Sequence, residues 1–150
     1  MIVLKGTNES IDLYHKITKT EEIKKIQYCL IDQNMLAELS KYETSKNHYF
    51  GLKLFSSSSL IDNFSDYISK LSLIEIEFES FKDGRPFTIA KDLRQILNFK
   101  GELRASGSIL PDQYIFLCRC GFSSVKIDEE QKKTWIEIYN NDPGLKYQVD

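Results

Sequence analysis

The chain has 150 residues and a formal net charge of −2, with 20 Lys and Arg residues against 22 Asp and Glu residues. This length suits one domain that buries a core without disulfides or metals, and the balanced charge argues against nucleic acid as a partner. The apolar run at residues 2–4 is too short for a signal peptide or a membrane span, and three cysteines cannot all pair within one chain. We therefore expect a cytoplasmic protein with no membrane partner.

The N-terminal third predicts a β-hairpin followed by short mixed elements. Residues 2–4 form the first strand, residues 6–9 the turn, and Ile11 and Leu13 alternate with polar residues in the second strand. A short helix from Thr20, a strand over residues 28–31 and a helix over residues 34–42 follow.

From Tyr49 onward the sequence predicts four strand–helix pairs. The predicted strands cover residues 49–55, 73–79, 102–107 and 124–127, and the predicted helices cover residues 60–71, 88–99, 111–120 and 129–139. Short connections between such pairs favour parallel strands joined by right-handed crossovers. The predicted fold class is thus α/β, a single domain over residues 1–150 with a mainly parallel sheet and an N-terminal β-hairpin.

One face of the predicted sheet is charged. Its strands alternate apolar and polar residues, and the charged positions that share this face are Lys53, Glu75, Glu77, Glu79, Glu102, Arg104 and Lys126. Such a face can be open to water in a two-layer sheet, can line a curved, half-barrel-like sheet, or can meet a second subunit, and an antiparallel α+β arrangement is a further alternative. Buried charges must pair with one another, because an unpaired one costs several kcal/mol. We predict a twofold homodimer through this face or one beside it.

The loop after the second of these strands is the first candidate binding site. Asp83 and Arg85 follow a strand and precede a helix, where ligands gather in parallel α/β sheets. Asp-Gly is also an ordinary turn dipeptide, and Arg85 can pair with Asp83 or Glu79 instead of an anion.

The next strand–helix junction is the second candidate. Arg104 lies on the polar face before a Gly107-Ser108 turn, and Asp112 and Gln113 open the following helix. Free backbone N–H groups and an arginine fork suit a small anion, although Asp112 also complements the helix dipole without any ligand.

Motifs for cofactors and metals are absent from the sequence. No glycine pattern of a phosphate loop or a dinucleotide fold is present, and Cys118 and Cys120 point in different directions on one predicted helix. His15 and His48 are isolated. We predict no metal and no tightly bound redox cofactor, assign no catalytic residue, and leave open whether the protein is an enzyme.

Four blocks of sequence resemble the bacterial domain-of-unknown-function family number 934: Asp83-Gly84-Arg85, Gly101-Glu102-Leu103-Arg104-Ala105, Asp112-Gln113 and Arg119-Cys120-Gly121-Phe122. The resemblance spans about residues 49–127 and includes Leu93-Arg94 on the intervening helix. This chain has Pro86, Ser108 and Pro111 where the family usually has Gly, an acid and Arg. Members are often labelled as oxidoreductases of sulfite reduction, because their genes tend to accompany assimilatory sulfite-reductase genes.

The resemblance implies an accessory protein of assimilatory sulfur metabolism that binds a small anion or a sulfite-reductase component. The binding residues we predict are Asp83, Arg85, Arg104, Asp112 and Gln113, with Arg94 and Arg119 as second choices. One alternative is an enzyme in which Arg85 and Arg104 hold an anionic substrate while Asp83 or Asp112 transfers a proton. Another is a structural dimerisation module. We expect the predicted binding residues to cluster at the C-terminal ends of the strands.

Overall fold

The computed structural model describes residues 1–42, 47–59 and 64–142, which are organised around one eight-stranded sheet. The strands are β1 (Ile2–Lys5), β2 (Asn8–Ser10), β3 (His15–Lys16), β4 (Tyr28–Ile31), β5 (Tyr49–Phe55), β6 (Leu71–Phe78), β7 (Glu102–Gly107) and β8 (Ser124–Ile127). Their spatial order is β2-β1-β8-β7-β6-β5-β4-β3. Strands β3 to β8 are parallel to one another, whereas β1 is antiparallel to both β2 and β8. The predicted α/β class and mainly parallel sheet are confirmed.

In the part of the chain that the structure describes, four α-helices and four 3-10 helices connect or follow the strands. The α-helices are α1 (Ser65–Ile68), α2 (Arg85–Gln95), α3 (Tyr114–Arg119) and α4 (Lys132–Asn140), and the 3-10 helices are Thr20–Lys24, Gln33–Lys41, Pro111–Gln113 and Glu129–Gln131. Leu60 and Ile61, which the sequence places in a helix, lie outside the described residues. Within the described ranges, no helix combines the length and the apolar character needed to cross a membrane.

The sheet is apolar on one face because the parallel strands lie in sequential order. When each strand lies beside the previous one, right-handed crossovers bring every connecting helix to the same face. Ile74, Ile76 and Phe78 of β6 accordingly belong to one buried cluster with Leu93 of α2 and Trp135 of α4. The opposite face of the sheet, which we term the polar face, carries the charged residues.

The sheet curves into a half-barrel, and residues 11–14 pass across its polar face. β2 and β3 lie at opposite edges of the sheet, yet only residues 11–14 connect them. Along eight strands the edges are about 34 Å apart, whereas an extended chain from Ser10 to His15 spans at most about 18 Å. The curvature of the sheet brings its edges within this reach. We term residues 11–14 the crossing segment.

The contacts of the crossing segment show its path across the polar face. Asp12 contacts Lys126 of β8 and Arg104 of β7. The Tyr14 hydroxyl lies 2.6 Å from the Ser72 hydroxyl of β6. On β5, a Cβ atom at Gly51 would lie 3.0 Å from the Tyr14 ring, so a residue without a side chain makes room for the tyrosine.

The N-terminal hairpin is confirmed, but its second strand is shorter than predicted. Gly6 has φ +62°, and Lys5 pairs with Asn8, so the hairpin turn is Gly6-Thr7. The alternation of Ile11 and Leu13 belongs instead to the crossing segment, where these side chains are 75 % and 46 % exposed. The prediction of a strand over these residues was wrong, because Asp12 and Tyr14, rather than their apolar neighbours, face the sheet.

Candidate functional site

Asp83 and Arg85 lie together where the chain leaves β6 and enters α2. The Arg85 guanidinium donates to both Asp83 oxygens, at 2.7 Å from Nη2 and at 3.0 and 3.1 Å from Nε. The Arg85 backbone N–H donates to the same carboxylate at 3.0 Å and closes the turn before the helix. These hydrogen bonds from Arg85 lower the pKa of Asp83 to about 2. Each charged group is already paired with the other, and both belong to the turn before α2. Their contacts are therefore those of a structural turn.

A cleft of about 220 Å³ lies at the C-terminal ends of β7 and β8. Gly107 at the end of β7 has φ +82°, and a Cβ atom there would lie 2.5 Å from the Phe78 carbonyl oxygen. The Ser108 N–H donates to that same carbonyl at 2.8 Å, which ties the turn to the end of β6 and positions Ser108 at the cleft. The other polar side chains that line the cleft include Lys126 and Gln131.

Gln113 connects the two candidate loops at the C-terminal ends of the strands, where we expected the binding residues to cluster. Its Nε2 donates to the Phe81 carbonyl at 3.3 Å, and its Oε1 accepts from the Leu110 N–H at 2.8 Å. Asp112 is exposed in the same turn. Asp83, Arg85, Asp112 and Gln113 are therefore close to the strand ends, in line with the expected clustering.

Three large apolar side chains are exposed beside this cleft. Phe81, Leu110 and Phe116 are 51 %, 41 % and 50 % exposed, and we term them the strand-end patch. Phe81 and Leu110 line the cleft. Phe116 lies one turn after Gln113, whose side chain contacts Phe81, and its ring packs against Phe87 with 4.8 Å between centroids. Exposed apolar side chains grouped in this way are characteristic of interaction surfaces.

Arg104 is far less accessible than the other candidates, because it lies on the polar face beneath the crossing segment. Its side chain is 3 % exposed, and its guanidinium contacts three acids. The nearest distances are 3.0 Å to Glu102, 3.0 Å to Asp12 and 3.3 Å to Glu75. Arg104 thus links β6, β7 and the crossing segment, and each of its three guanidinium nitrogens donates to one of these acids.

The remaining charges of the polar face are paired in the same way. Lys53 contacts both Glu75 and Glu77, at 3.2 Å in the second case, and the Ser106 hydroxyl donates to Glu75 at 3.2 Å. Among the described residues, the ion pairs on this face join four cations to four anions: Lys5, Lys53, Arg104 and Lys126 pair with Asp12, Glu75, Glu77 and Glu102. These charges are paired within one chain and do not need a second subunit to neutralise them. Dimerisation through this face therefore stays a prediction.

Arg94 and Arg119 lie away from the strand-end cleft. Arg94 donates to three backbone carbonyls, those of Phe99 and Gly101 at 2.8 Å and of Gly121 at 2.9 Å. These carbonyls precede β7 and β8, at the opposite ends of the strands from the cleft. Arg119 is exposed and lies 3.6 Å from Asp142. The expected clustering therefore does not extend to Arg94 and Arg119, and Arg94 has the contacts of a structural clamp.

The thiols have little nucleophilic character in this structure. Burial, together with the charge of Glu22, raises the pKa of Cys29 to about 11, and burial raises the pKa of Cys118 to about 11. Cys29 Sγ lies 3.6 Å from His48 Nε2, a contact that sequence analysis did not anticipate. Across residues 1–42, 47–59 and 64–142, no group of three or more His, Cys, Asp or Glu residues is placed to hold a metal ion.

The acids that contact Arg104 predict how stability depends on pH. Burial raises the pKa values of Asp12 and Glu102, but hydrogen bonds from Lys126 and Ser124 and the charge of Arg104 outweigh it, and both pKa values are lowered. Acids with a lowered pKa in the folded state stabilise it above their unfolded pKa values of about 4, and this contribution is lost as the pH falls through the folded values.

We therefore expect the free energy of unfolding to be nearly constant from pH 7 to about pH 5 and to fall steeply below about pH 4. Urea unfolding at a series of pH values measures this, and Asp12→Asn should flatten the fall. Glu130→Gln, at an exposed position outside the polar face, is the control and should keep the wild-type slope. Parallel profiles for wild type and Asp12→Asn would contradict the prediction.

The comparison with protein-family models identifies one family, described as a bacterial protein of unknown function (DUF934), whose model matches residues 52–150. Among curated proteins and among solved structures, no match to the chain was found. The matched region includes β6 to β8 with the strand-end cleft, Arg94 and Arg104, whereas β1 to β4 and the crossing segment lie before it. On this match over most of its length, the chain belongs to the bacterial DUF934 family.

Proposed function

We propose that the protein is an accessory protein of assimilatory sulfite reduction that binds a reductase component through the strand-end patch. The observation that carries the proposal is the exposure of Phe81 and Leu110 in a cleft at the C-terminal ends of the strands, together with the exposure of Phe116 one turn after Gln113. The sulfite-reduction context comes from the label that members of the family often bear.

The chemistry of this surface favours a protein over a free anion as its partner. Aromatic and large aliphatic side chains supply most of the binding energy at the centre of protein interfaces, and they pair with pockets on the other side. A cleft of about 220 Å³ between Phe81 and Leu110 is large enough for one apolar side chain of a partner. Polar groups of Ser108, Gln113 and Gln131 lie around the apolar residues, as at the rim of an interface.

The arginines do not support the alternative of an anion gripped at the strand-end loops. Arg85 is occupied by Asp83, and Arg104 is buried among three acids. Neither guanidinium has an open pair of donors for a substrate.

The test is direct binding of purified sulfite-reductase components to the wild-type protein, measured by calorimetry. We expect Phe81→Ser with Leu110→Ser to weaken binding by about 30-fold or more, because each change removes an apolar anchor. Ile96→Ser is the matched control, since Ile96 is an apolar residue that is 70 % exposed at the C-terminal cap of α2 and outside the patch. Absence of binding by any component, or equal weakening in the Ile96→Ser variant, would refute the proposal.

A second candidate function is an enzyme that binds an anionic substrate in the same cleft. The observation in its favour is position, because ligands of parallel α/β sheets bind outside the C-terminal ends of the strands. Titration of the wild-type protein with sulfite, sulfate and phosphate separates the two candidates. Saturable binding of one of these anions that Ser108→Ala abolishes would favour the enzyme.

A further inference from the structure

We propose that Arg104 and Lys126 form a binding site for a small oxyanion with a single negative charge, and that Asp12 of the crossing segment occupies it as an internal substitute. The ligand class is a free carboxylate or a monovalent sulfur oxyanion. This site adjoins the partner surface proposed above, because Lys126 also lines the cleft, but its binding groups are two cations and not the apolar side chains of the strand-end patch.

The two oxygens of Asp12 are bound as the oxygens of such an anion would be. Oδ1 accepts from Arg104 Nη1 at 3.0 Å, and Oδ2 accepts from Lys126 Nζ at 2.9 Å. The Tyr14 backbone N–H adds a third donor to Oδ1 at 3.1 Å. Charge-assisted hydrogen bonds from an arginine and a lysine are the usual means of holding a carboxylate or an oxyanion in proteins.

The charge of the polar face sets the charge of the ligand. Among the described residues, the ion pairs there join four cations to four anions, and Asp12 is one of these anions. If Asp12 leaves, four cations face three anions, and the remaining charge of +1 is neutralised by a monovalent anion. A divalent anion would leave one unpaired negative charge in a poorly solvated place, which is costly.

Asp12 belongs to a segment that can move without breaking the core. Residues 11–14 lie between β2 and β3 and belong to no helix or strand. Ile11 and Leu13 are 75 % and 46 % exposed, so the apolar surface that the segment buries is mainly the Tyr14 ring, which packs against Gly51 and Tyr28. The other inward contacts of the segment are polar. Segments with few buried apolar contacts open at low free energy.

A path to the site exists from the strand-end cleft. Lys126 contacts Asp12 and also lines the cleft, and its side chain is 27 % exposed. The cleft, which Asp128 also lines, therefore gives an anion access to the Lys126 ammonium group, and Arg104 becomes reachable when Asp12 withdraws.

The first arm of the test removes the internal substitute. Asp12→Ala is expected to lower the midpoint of thermal unfolding, and formate should raise it again in a saturable manner, whereas chloride at equal ionic strength should not. Sulfate, added as the divalent probe, should restore less than formate. In Asp12→Ala with Lys126→Met, the apparent affinity for formate should fall by about tenfold or more, because one of the two charged donors is lost. Glu130→Ala, an acid removed elsewhere on the surface, should show no formate response beyond that of chloride.

The second arm uses the wild-type protein and needs no variant to fold. Hydrogen–deuterium exchange of the peptide that contains residues 11–14 should increase with formate, at concentrations well above those that saturate Asp12→Ala, because the tethered carboxylate competes at high effective concentration. Exchange in β6 is the internal control and should not change.

Either of two results would overturn the proposal. One is a formate response of Asp12→Ala no larger than that of chloride, and the other is unchanged exchange of residues 11–14 in the wild-type protein. The Phe81→Ser, Leu110→Ser variant should retain the formate response in the exchange experiment. If this variant loses partner binding but keeps the formate response, the anion site and the partner surface are tested independently of each other.

Discussion

Replacing Arg104 with glutamate is expected to lower the free energy of unfolding by about 3–5 kcal/mol, the usual cost of breaking a buried ion pair by removing one partner. The guanidinium is 3 % exposed and contacts Asp12, Glu75 and Glu102, so the substitution leaves three acids without their shared cation and adds a fourth. Glu75 is affected most, because its side chain is only 1 % exposed. Urea unfolding of wild type and variant measures the effect.

The matched control is Arg85→Glu, which also breaks an arginine–carboxylate pair within the family's motif residues. Arg85 is 60 % exposed, so water replaces its contacts with Asp83, and its free energy of unfolding should stay close to that of wild type. Equal stability of Arg104→Glu and Arg85→Glu would contradict the buried network.

Light scattering over a dilution series of both variants and wild type tests the predicted homodimer, and a wild-type monomer at high concentration would refute it.

Replacing Arg94 with methionine is expected to lower the free energy of unfolding by about 3 kcal/mol. The guanidinium donates to the carbonyls of Phe99, Gly101 and Gly121, and the loss of each hydrogen bond costs about 0.5–1.5 kcal/mol. Methionine keeps much of the apolar stem that packs against Gly121, so the measured loss reports mainly on the hydrogen bonds.

Arg119→Met is the control for this effect, since Arg119 also lies in the last turn of a helix but contacts Asp142 at the surface. Its change should stay within about 0.5 kcal/mol. Binding of a reductase component should be unchanged in folded Arg94→Met protein. Loss of binding without loss of stability would instead assign Arg94 to the functional surface.

Hydrophobic periodicity predicted most of the sheet. The strand over residues 124–127 has the observed bounds, and β7 was predicted over its full length. The half-barrel was among the alternatives, because alternation in β6 showed that only one face could pack against helices. The helix predicted over residues 34–42 is instead the 3-10 helix Gln33–Lys41, a difference in hydrogen bonding that apolar spacing does not resolve.

The roles of the candidate arginines were not predictable in the same way. Spacing placed Arg85, Arg94 and Arg104 on definite elements, but it did not show which of them was buried. Arg94 reaches carbonyls that precede two different strands, and Arg104 is covered by the crossing segment. Nothing in the sequence marked Phe81 as part of the cleft, because it is simply an apolar residue in a loop.

By itself the sequence determined the element types, the apolar face of each strand and the charge of the opposite face, because these depend on residues a few positions apart. The tertiary structure alone decided which charges pair. Asp12 is 92 residues from Arg104 and 114 residues from Lys126 in the chain, and it meets both only because the sheet curves far enough for residues 11–14 to cross it. Periodicity is a local property, whereas the path of a connecting segment depends on strand order and sheet curvature. The position of the crossing segment over the polar face therefore follows from the topology of the sheet, and no local pattern of residues predicts it.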